Sequence, residues 1–277
     1  MKRNISLLSG IRRLLPVVSC VLIACCLFSC KQKVEKPKTA IVAHRGYWNC
    51  EAAGYARNSI AALRQAGKEH FEGSEFDVNM TADSVLLVWH DSYIEGKSIE
   101  KNPYSEFADV RLANGEPIPV LDSFLLAAVD YPATQLVFEL KPHSTPEVED
   151  AAVSLSLKAL ERYGLLDPSR VMFISFSLHA CEQLAQLAPG FTVQYLSADV
   201  RPSLLKQKGI SGVDSHLNVF LNDSTWLEEA ESLDMSTNVW TVNEDSLMQV
   251  FFEMGVQQLT TDRPDAAREV LTKLNNN

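Results

Sequence analysis

Short apolar runs alternate with longer amphipathic stretches along most of the chain. Nine runs have the length and apolar content of buried strands; they span residues 40–44, 74–79, 85–90, 135–141, 171–175, 192–196, 212–216, 237–242 and 257–261. Between most of them apolar residues recur at helical spacing, in stretches that begin near residues 60, 152, 181, 227 and 247. This alternation favours a parallel sheet whose strands are joined by crossover helices.

One connection is too short for such a crossover. Only residues 80–84 separate the strands at 74–79 and 85–90, whereas a parallel connection needs about a dozen residues or more. These two strands are therefore predicted to form a β-hairpin after strand two. Removing its returning arm from the nine candidates leaves eight parallel strands, the number in a (β/α)8 TIM barrel. An open doubly wound sheet is the alternative.

The hairpin register decides which charged residues face each other. A two-residue turn at 83–84 pairs Asp77 with His90, and a turn at 82–83 pairs Glu75 with His90. Since Glu75 and Asp77 lie on the same face of a strand, either register predicts an imidazole beside two carboxylates. The stretch that follows is too long for a plain loop, and it predicts a small insertion near residues 91–120, beside the barrel mouth.

The N-terminal segment has the pattern of an export signal. Basic residues precede an apolar run at 14–28, and the run ends in Leu-Phe-Ser-Cys30, which resembles the bacterial lipobox. We therefore expect a lipoprotein signal peptide at 1–29, a lipidated tether at 30–38 and a barrel domain at 39–277. A single membrane span is the alternative, although the run is shorter than the ~20 apolar residues that a span needs.

Either interpretation places the domain in the bacterial cell envelope, anchored to a membrane and facing outside the cytoplasm. Without the signal the chain keeps 21 Lys and Arg against 35 Asp and Glu, a formal charge of −14. Such acidity argues against nucleic acid as a partner, and nothing in the sequence indicates a protein partner. Cys50 and Cys181, the two cysteines of the domain, are expected to be unpaired.

Charged and aromatic residues stand at the carboxyl ends of several predicted strands. The carboxyl ends of barrel strands surround one mouth, so these side chains should converge there: His44, Arg45, Glu75, Asp77, His90, Glu139, Lys141 and Trp240. Three converging carboxylates repel one another unless a cation compensates them. Oxygen ligands alone suit Ca²⁺ or Mg²⁺, so we expect a divalent metal of this kind. Trp240 is expected to form a wall for the substrate.

Seven motifs, taken in order, resemble the signature of the glycerophosphodiester phosphodiesterase family. They are His44-Arg-Gly46, Asn58-Ser59, Glu75-x-Asp77 with His90-Asp91, Glu139-x-Lys141, Ser175-Phe176, Trp240-Thr-Val-Asn243 and Thr261-Asp262-x-Pro264. The resemblance covers nearly all of the predicted domain. It implies a (β/α)8 barrel that hydrolyses a glycerophosphodiester to glycerol 3-phosphate and an alcohol.

The resemblance also assigns roles to residues. It implies that Glu75, Asp77 and Glu139 hold the metal, that His44 and His90 are the catalytic acid/base pair, and that Arg45 and Lys141 bind the phosphate. In the family the glycerol 2-hydroxyl is thought to attack phosphorus, and water then opens a cyclic phosphate. Each step needs one group that accepts a proton and one that donates one. We favour His44 as the first base and His90 as the first acid.

The chain departs from the family pattern at one place. Many members have Pro-Glu-Asn-Thr where this chain has Ala-Arg57-Asn58-Ser, so a basic residue replaces an acid at the rim of the site. Two other functions therefore stay open: a phospholipase-D-like or phosphoinositide-cleaving relative that acts on intact lipids, and a non-catalytic binding lipoprotein. Asp91 and Asp262 are expected either to join the hydrogen-bond network of the site or to cap loops.

Overall fold

The computed structural model describes residues 39–276, so the predicted signal peptide, Cys30 and the tether at 30–38 lie outside the described residues. The strands, in chain order, are β1 (Ala40–Ala43), β2 (Gly73–Met80), β3 (Leu86–Val88), β4 (Tyr93–Ile94), β5 (Lys97–Ser98), β6 (Gln135–Leu140), β7 (Val171–Ser175), β8 (Val193–Tyr195), β9 (Gly212–His216), β10 (Ser236–Trp240) and β11 (Gln258–Thr261). The helices are α1 (Ile60–Lys68), α2 (Leu121–Ala128), α3 (Pro146–Arg162), α4 (Leu178–Leu187), α5 (Pro202–Gln207), α6 (Leu217–Asn222), α7 (Thr225–Ser232), α8 (Asp245–Met254) and α9 (Pro264–Asn275).

Eight parallel strands close into a barrel. Its order is β1, β2, β6, β7, β8, β9, β10 and β11, and β11 pairs again with β1. Helices connect the strands, with two between β9 and β10. The predicted (β/α)8 TIM barrel is therefore confirmed, and the open sheet is excluded. No helix within residues 39–276 has both the length and the apolar content that crossing a bilayer requires.

Strand residues pack in two apolar layers, one between the strands and the helices and one inside the barrel. Phe76 and Phe138 are fully buried in the layer between strands and helices, with ring centroids 5.0 Å apart. Alternate residues of a strand point to opposite faces, so this packing directs Glu75, Asp77 and Glu139 into the barrel. A smaller apolar cluster fills the interior; it consists of Val42, Val137, Met172, Ile174 and Leu196.

The returning arm β3 pairs antiparallel with β2 in a register that differs from both predicted ones. Val78 pairs with Val88, because the turn has three residues, 82–84, rather than two. The backbone N–H of Thr81 donates to the carbonyl of Val85 at 2.9 Å, and Ser84 adopts a left-handed conformation with φ 65°. A left-handed residue at the end of a three-residue turn is a common hairpin connection.

This register places Trp89, not His90, opposite Asp77. The backbone N–H of Trp89 donates to the carbonyl of Asp77 at 3.0 Å. The regular strand ends at Val88, so strict alternation no longer governs the next residues. His90 consequently still lies at the mouth of the barrel, where it lines the same cavity as His44.

The predicted insertion is present between β3 and α2. It contains the two-stranded sheet of β4 and β5 and a short 3-10 helix at Tyr104–Glu106. Its buried apolar residues are Ile94, Ile99, Phe107, Leu112 and Ile118, and they form one small cluster with Ala56 and with Leu87 of β3. The domain cysteines, Cys50 and Cys181, are both free, as predicted.

Candidate active site

Three buried carboxylates meet at the carboxyl end of two neighbouring strands. Glu75 and Asp77 belong to β2 and Glu139 to β6, and Asp77 is the parallel partner of Glu139. One oxygen atom from each residue lies within 4.8 Å of the others. The predicted convergence of the three acids is therefore present in the structure.

Two basic side chains compensate part of this charge. Lys141 Nζ donates to Glu139 Oε1 at 2.6 Å and to Asp77 Oδ1 at 3.2 Å. Arg45 Nε lies 3.6 Å from Asp77 Oδ2, and the backbone N–H of Arg45 donates to Glu75 Oε2 at 2.7 Å. The other oxygen of Glu75 is buried without a hydrogen-bond partner.

Burial and mutual repulsion alter the pKa values of these acids. Burial, followed by repulsion from Asp77, raises the pKa of Glu139 to about 8, although Lys141 opposes the change. Burial and the other two acids raise the pKa of Glu75 well above its usual value. Burial would also raise the pKa of Asp77, but Lys141 and then His90 lower it below the ordinary value.

This oxygen donor set fits a hard divalent cation. Three carboxylates face two cations, and one oxygen of Glu75 is unsatisfied. Buried polar atoms without a partner are uncommon in proteins, and a bound cation would both pair this oxygen and offset the remaining negative charge. Oxygen ligands of this kind suit Ca²⁺ or Mg²⁺.

His44 is held from one side by Asp262. Its Nδ1 donates to Asp262 Oδ1 at 2.8 Å, while Trp48 Nε1 donates to the same oxygen at 3.0 Å. Asn243 Nδ2 donates to the other carboxylate oxygen of Asp262, Oδ2, at 2.8 Å. Burial would raise the pKa of Asp262, but the hydrogen bond and charge of His44, together with the hydrogen bonds from Asn243 and Trp48, lower that pKa below its usual range. An ionised Asp262 only accepts, so the proton of neutral His44 sits on Nδ1 and Nε2 is left free.

His90 approaches the cavity from the hairpin and is more exposed than His44. Its side chain is 39% exposed, against 19% for His44. Its Nδ1 donates to Asp91 Oδ1 at 2.7 Å. Burial lowers the pKa of His90, although Asp77 acts in the opposite direction. Both predicted catalytic histidines thus have one nitrogen bonded to a carboxylate, and Asp91 and Asp262 both belong to the hydrogen-bond network.

The His-Arg-Gly turn ties β1 to β2. Gly46 has φ +76°, and a Cβ atom there would lie 2.8 Å from the backbone of Ala62. Its N–H donates to the carbonyl of Glu75 at 2.9 Å. Only glycine combines this conformation with so close an approach, which explains why the turn needs this residue.

Asn58 supports Asp77 with two hydrogen bonds. Its Nδ2 donates to Asp77 Oδ2 at 2.8 Å, and its Oδ1 accepts from the backbone N–H of Asp77 at 3.2 Å. Arg57, the residue that departs from the family pattern, is exposed beside it. The Arg57 guanidinium carbon lies 4.1 Å from the centroid of the Trp48 ring, so a positive charge stands at the rim.

A cavity of about 540 Å³, counting the solvent at its opening, joins these residues. Of the predicted site residues, His44, Arg45, Glu75, His90, Glu139 and Trp240 line it. Asp77 and Lys141 lie next to it, bonded to each other. Trp240 packs edge to face against Phe176, with ring centroids 5.6 Å apart, so it forms part of an aromatic wall of the cavity.

Two residues of the site escaped prediction from the sequence. Asp214 on β9 is 1% exposed and lines the cavity, and Trp48 bonds to Asp262. A single carboxylate within the buried strand β9 was the available signal for Asp214. Trp48 gives no such signal, because its bond joins residues 214 positions apart.

A TIM barrel with three clustered carboxylates and two histidines at its mouth is consistent with a phosphodiesterase. The chain belongs to the glycerophosphoryl diester phosphodiesterase family, whose model matches residues 44–266. A crystal structure of a glycerophosphodiester phosphodiesterase from Parabacteroides distasonis is similar to it, with a TM-score of 0.83 and 40% identity, covering 87% of this chain and 99% of that one.

More distant relatives have the same fold. A phosphodiesterase of Oleispira antarctica, solved in complex with the product sn-glycerol-3-phosphate, has a TM-score of 0.73 at 22% identity, covering 84% of this chain and 96% of that one. The glycerophosphodiester phosphodiesterase of Caldanaerobacter subterraneus subsp. tengcongensis is 22% identical over 260 residues, which cover 85% of this chain and 99% of the relative.

Proposed function

We propose that this protein hydrolyses glycerophosphodiesters to glycerol 3-phosphate and an alcohol in a metal-dependent reaction. The observation that carries the proposal is the arrangement of one cavity, in which two histidines flank a cluster of buried carboxylates. The Oleispira phosphodiesterase was solved in complex with the product sn-glycerol-3-phosphate, which supports the same substrate class.

In this proposal Glu75, Asp77 and Glu139 hold a divalent ion, Ca²⁺ or Mg²⁺. Such an ion, when bound, stabilises negative charge on a phosphate oxygen. The residues themselves prepare the site, because Asn58 fixes the orientation of Asp77 and the backbone of Arg45 fixes that of Glu75. Preorganised ligands need little rearrangement as the reaction proceeds.

His44 acts as the first base in this proposal. The bond from Nδ1 to Asp262 leaves Nε2 free, and Nε2 lies 3.9 Å from Glu75 Oε2, on the side of the carboxylate cluster. Nε2 therefore takes the proton of the glycerol 2-hydroxyl. Asp262 stabilises the imidazolium that results, since its carboxylate accepts the Nδ1 proton.

His90 acts as the first acid and protonates the leaving alcohol. Its lowered pKa favours the neutral ring in the free protein. A phosphodiester that enters the cavity brings a negative charge beside the ring, and a nearby negative charge favours the imidazolium. The side chain of His90 is also exposed enough to exchange protons with solvent.

Arg45 and Lys141 bind the phosphate in this proposal. Arg45 lines the cavity, and its Nε lies close to Asp77 without forming a hydrogen bond. A guanidinium with a free donor is well suited to an anionic phosphate oxygen. Lys141 is already bonded to two of the carboxylates, so it contributes positive charge beside the anion.

We further propose that the enzyme works in the bacterial cell envelope, as a lipoprotein anchored through Cys30. The support is the lipobox-like sequence before Cys30 and the basic and apolar segment that precedes it. Metabolic labelling with a tagged fatty acid should label the wild-type protein in bacteria. Replacement by Cys30→Ala should abolish the label and release the protein from the membrane fraction.

Release of glycerol 3-phosphate tests the activity directly. Protein without residues 1–29 should release it from glycerophosphocholine, glycerophosphoethanolamine or glycerophosphoglycerol, a chelator should stop the release, and Ca²⁺ or Mg²⁺ should restore it. His44→Ala and His90→Ala should each lower kcat at least ~10²-fold, the usual contribution of a general acid or base.

Two results would contradict the proposal. Activity on phospholipid vesicles with none on the soluble diesters would favour the lipid-cleaving alternative. Binding of diesters without turnover, unchanged in His44→Ala, would favour the binding lipoprotein.

A further inference from the structure

The cavity has two chemically different sides. His44, Arg45, Glu75, His90 and Glu139 supply charge on one side. The other side is built from apolar and aromatic side chains, namely Ile174, Phe176, Leu196 and Trp240. Asp214 lies on this second side, so a carboxyl group stands within an otherwise largely apolar wall.

The backbone of β9 directs Asp214 into the barrel. Alternation along the strand places Gly212, Asp214 and His216 on the interior face and Ser215 on the other face. Asp214 pairs with Asn238 of β10, and Trp240 Nε1 donates to its backbone carbonyl at 3.2 Å. The position of its side chain is therefore set by two neighbouring strands.

One oxygen of Asp214 is paired and the other is not. Oδ2 accepts from Asn238 Nδ2 at 3.1 Å, and the same nitrogen donates to Thr260 Oγ1 at 2.9 Å. Oδ1 is buried and has no hydrogen-bond partner. A buried polar atom of this kind is costly unless something pairs it, and this one belongs to a residue that lines the cavity.

The metal cluster does not account for Asp214. The three carboxylates that lie within 4.8 Å of one another are those of Glu75, Asp77 and Glu139. Burial, and after it repulsion from Glu139, raises the pKa of Asp214 well above its usual value. A carboxyl group in its neutral form offers a donor as well as acceptors, which suits an uncharged hydroxyl better than a cation.

The proposed substrate class has one group that fits. When the phosphate lies on the charged side of the cavity, the three-carbon glycerol unit extends toward the apolar side. There Trp240 can cover its carbon atoms. The 2-hydroxyl faces His44, so the terminal hydroxyl is the remaining polar group. The leaving alcohol fits less well, because it must depart through the mouth, whereas Asp214 is 1% exposed inside the barrel.

We propose that Asp214 determines specificity by hydrogen-bonding the terminal hydroxyl of the glycerol unit through its unpaired oxygen. This inference rests on the proposed function and deepens it. It makes Asp214 the residue that distinguishes glycerol from a three-carbon unit that lacks this hydroxyl. A site built around a hydroxyl leaves its own polar group unpaired when an analogue without the hydroxyl binds, which produces strong rejection.

The test compares two substrates on several variants. The substrates are glycerophosphocholine and its 1-deoxy analogue, which retains the 2-hydroxyl and the phosphocholine. Wild-type protein should prefer the first by at least ~10²-fold in kcat/KM. Asp214→Ala should lose most of that preference, through slower turnover of glycerophosphocholine and little change with the analogue. Asp214→Asn, which keeps shape and hydrogen bonding, should retain a large part of it.

Ser215→Ala is the matched control. Ser215 is the next residue, is also fully buried and also has an unpaired side-chain oxygen, but it does not line the cavity. Its replacement should leave the preference at the wild-type value. Calorimetry with glycerol 3-phosphate and 1-deoxyglycerol 3-phosphate gives a second readout without turnover, in which Asp214→Ala should weaken binding of the first compound only.

The outcomes separate this inference from the proposed function. Wild-type protein that hydrolyses neither diester contradicts the function. Wild-type protein that hydrolyses both diesters equally well contradicts only the role of Asp214, and this result does not depend on any variant folding. Equal losses on both substrates in a folded Asp214→Ala protein, judged by its circular dichroism, would overturn the inference in favour of a structural role.

Discussion

Asp262 accepts a hydrogen bond of 2.8 Å from His44 although the two residues are 218 positions apart. Asp262 follows β11 and His44 follows β1, and these two strands pair to close the barrel. The orientation of His44 therefore depends on the closure of the barrel, since no residue near it in sequence holds its Nδ1.

Replacing Asp262 should slow turnover more than it weakens substrate binding. In Asp262→Asn the amide can donate to Nδ1, which favours the tautomer whose Nε2 is protonated and cannot act as a base. We expect kcat to fall at least ~10²-fold with KM changed little, as measured by steady-state release of glycerol 3-phosphate. Asp245→Asn, at an exposed pair with Arg263, should keep wild-type rates; equal rates in both variants would contradict the role of Asp262.

The metal-free protein should lose stability as pH rises from 6 to 8. Glu139 has its pKa raised to about 8 in the folded protein, against an ordinary value of 4.5, so the folded state holds a proton that the unfolded state has released. Stability falls with pH wherever the folded state binds more protons, here by roughly 1 kcal/mol per pH unit.

Urea unfolding in the presence of chelator measures this slope. Added Ca²⁺ or Mg²⁺ should stabilise the protein most at pH 8, because metal and protons compete for the same carboxylates. Glu139→Gln should flatten the slope of the metal-free protein. A stability that stays level or rises between pH 6 and 8 would show that Glu139 is ionised throughout.

Lys141→Met should destabilise the metal-free protein. The substitution keeps an unbranched side chain but leaves Asp77 and Glu139 without their buried cation, and removal of one partner from a buried ion pair typically costs ~3–5 kcal/mol. Chemical denaturation with chelator present measures the change. Lys97→Met, which breaks the exposed pair with Glu106, is the control and should leave stability nearly unchanged; similar effects of the two variants would refute the prediction.

Arg57→Glu should alter the preference for the leaving group. The guanidinium at the rim repels the cationic choline head group and attracts the carboxylate of serine, so reversing its charge should favour glycerophosphocholine over glycerophosphoserine, whose head group is zwitterionic. We expect the ratio of the two kcat/KM values to change by about fivefold at low salt and less at high salt. Arg57→Gln should give an intermediate ratio. If wild type, Arg57→Gln and Arg57→Glu have the same ratio of kcat/KM values, the charge at residue 57 does not affect the choice of leaving group.

The barrel could be predicted from the sequence because its strands are buried on both faces and therefore form short apolar runs. All nine predicted strands exist, and the bounds of β7 and β9 are those predicted. Helices α2, α5, α6 and α9 were not predicted. Of these, α5 and α6 have six residues each, too few for a helical period to be recognised. The hairpin register was wrong because a two-residue turn was assumed, and the turn type depends on the left-handed conformation of Ser84.

The positions of the three clustered acids and the two histidines could be predicted because these residues occur at fixed short spacings near strand ends. Other parts of the site depend on tertiary packing. The stack of Arg57 on Trp48 and the bond from Trp48 to Asp262 join segments that are distant in sequence. Asp214 lies in no motif, and its unpaired oxygen is recognised only when the neighbouring strand and the cavity are known.

His44 and His90 follow two different kinds of strand, one inside the closed barrel and one outside it. The three clustered acids and His44 lie on, or directly after, strands of the closed ring. His90 instead follows the three-residue arm β3, which pairs with β2 alone among the described strands. A displacement of this arm would change the gap between the two imidazoles without breaking any strand pair of the ring. In the proposed mechanism, proton transfer to the departing alcohol is therefore mechanically separable from metal binding, and changes in the arm would alter the first without altering the second.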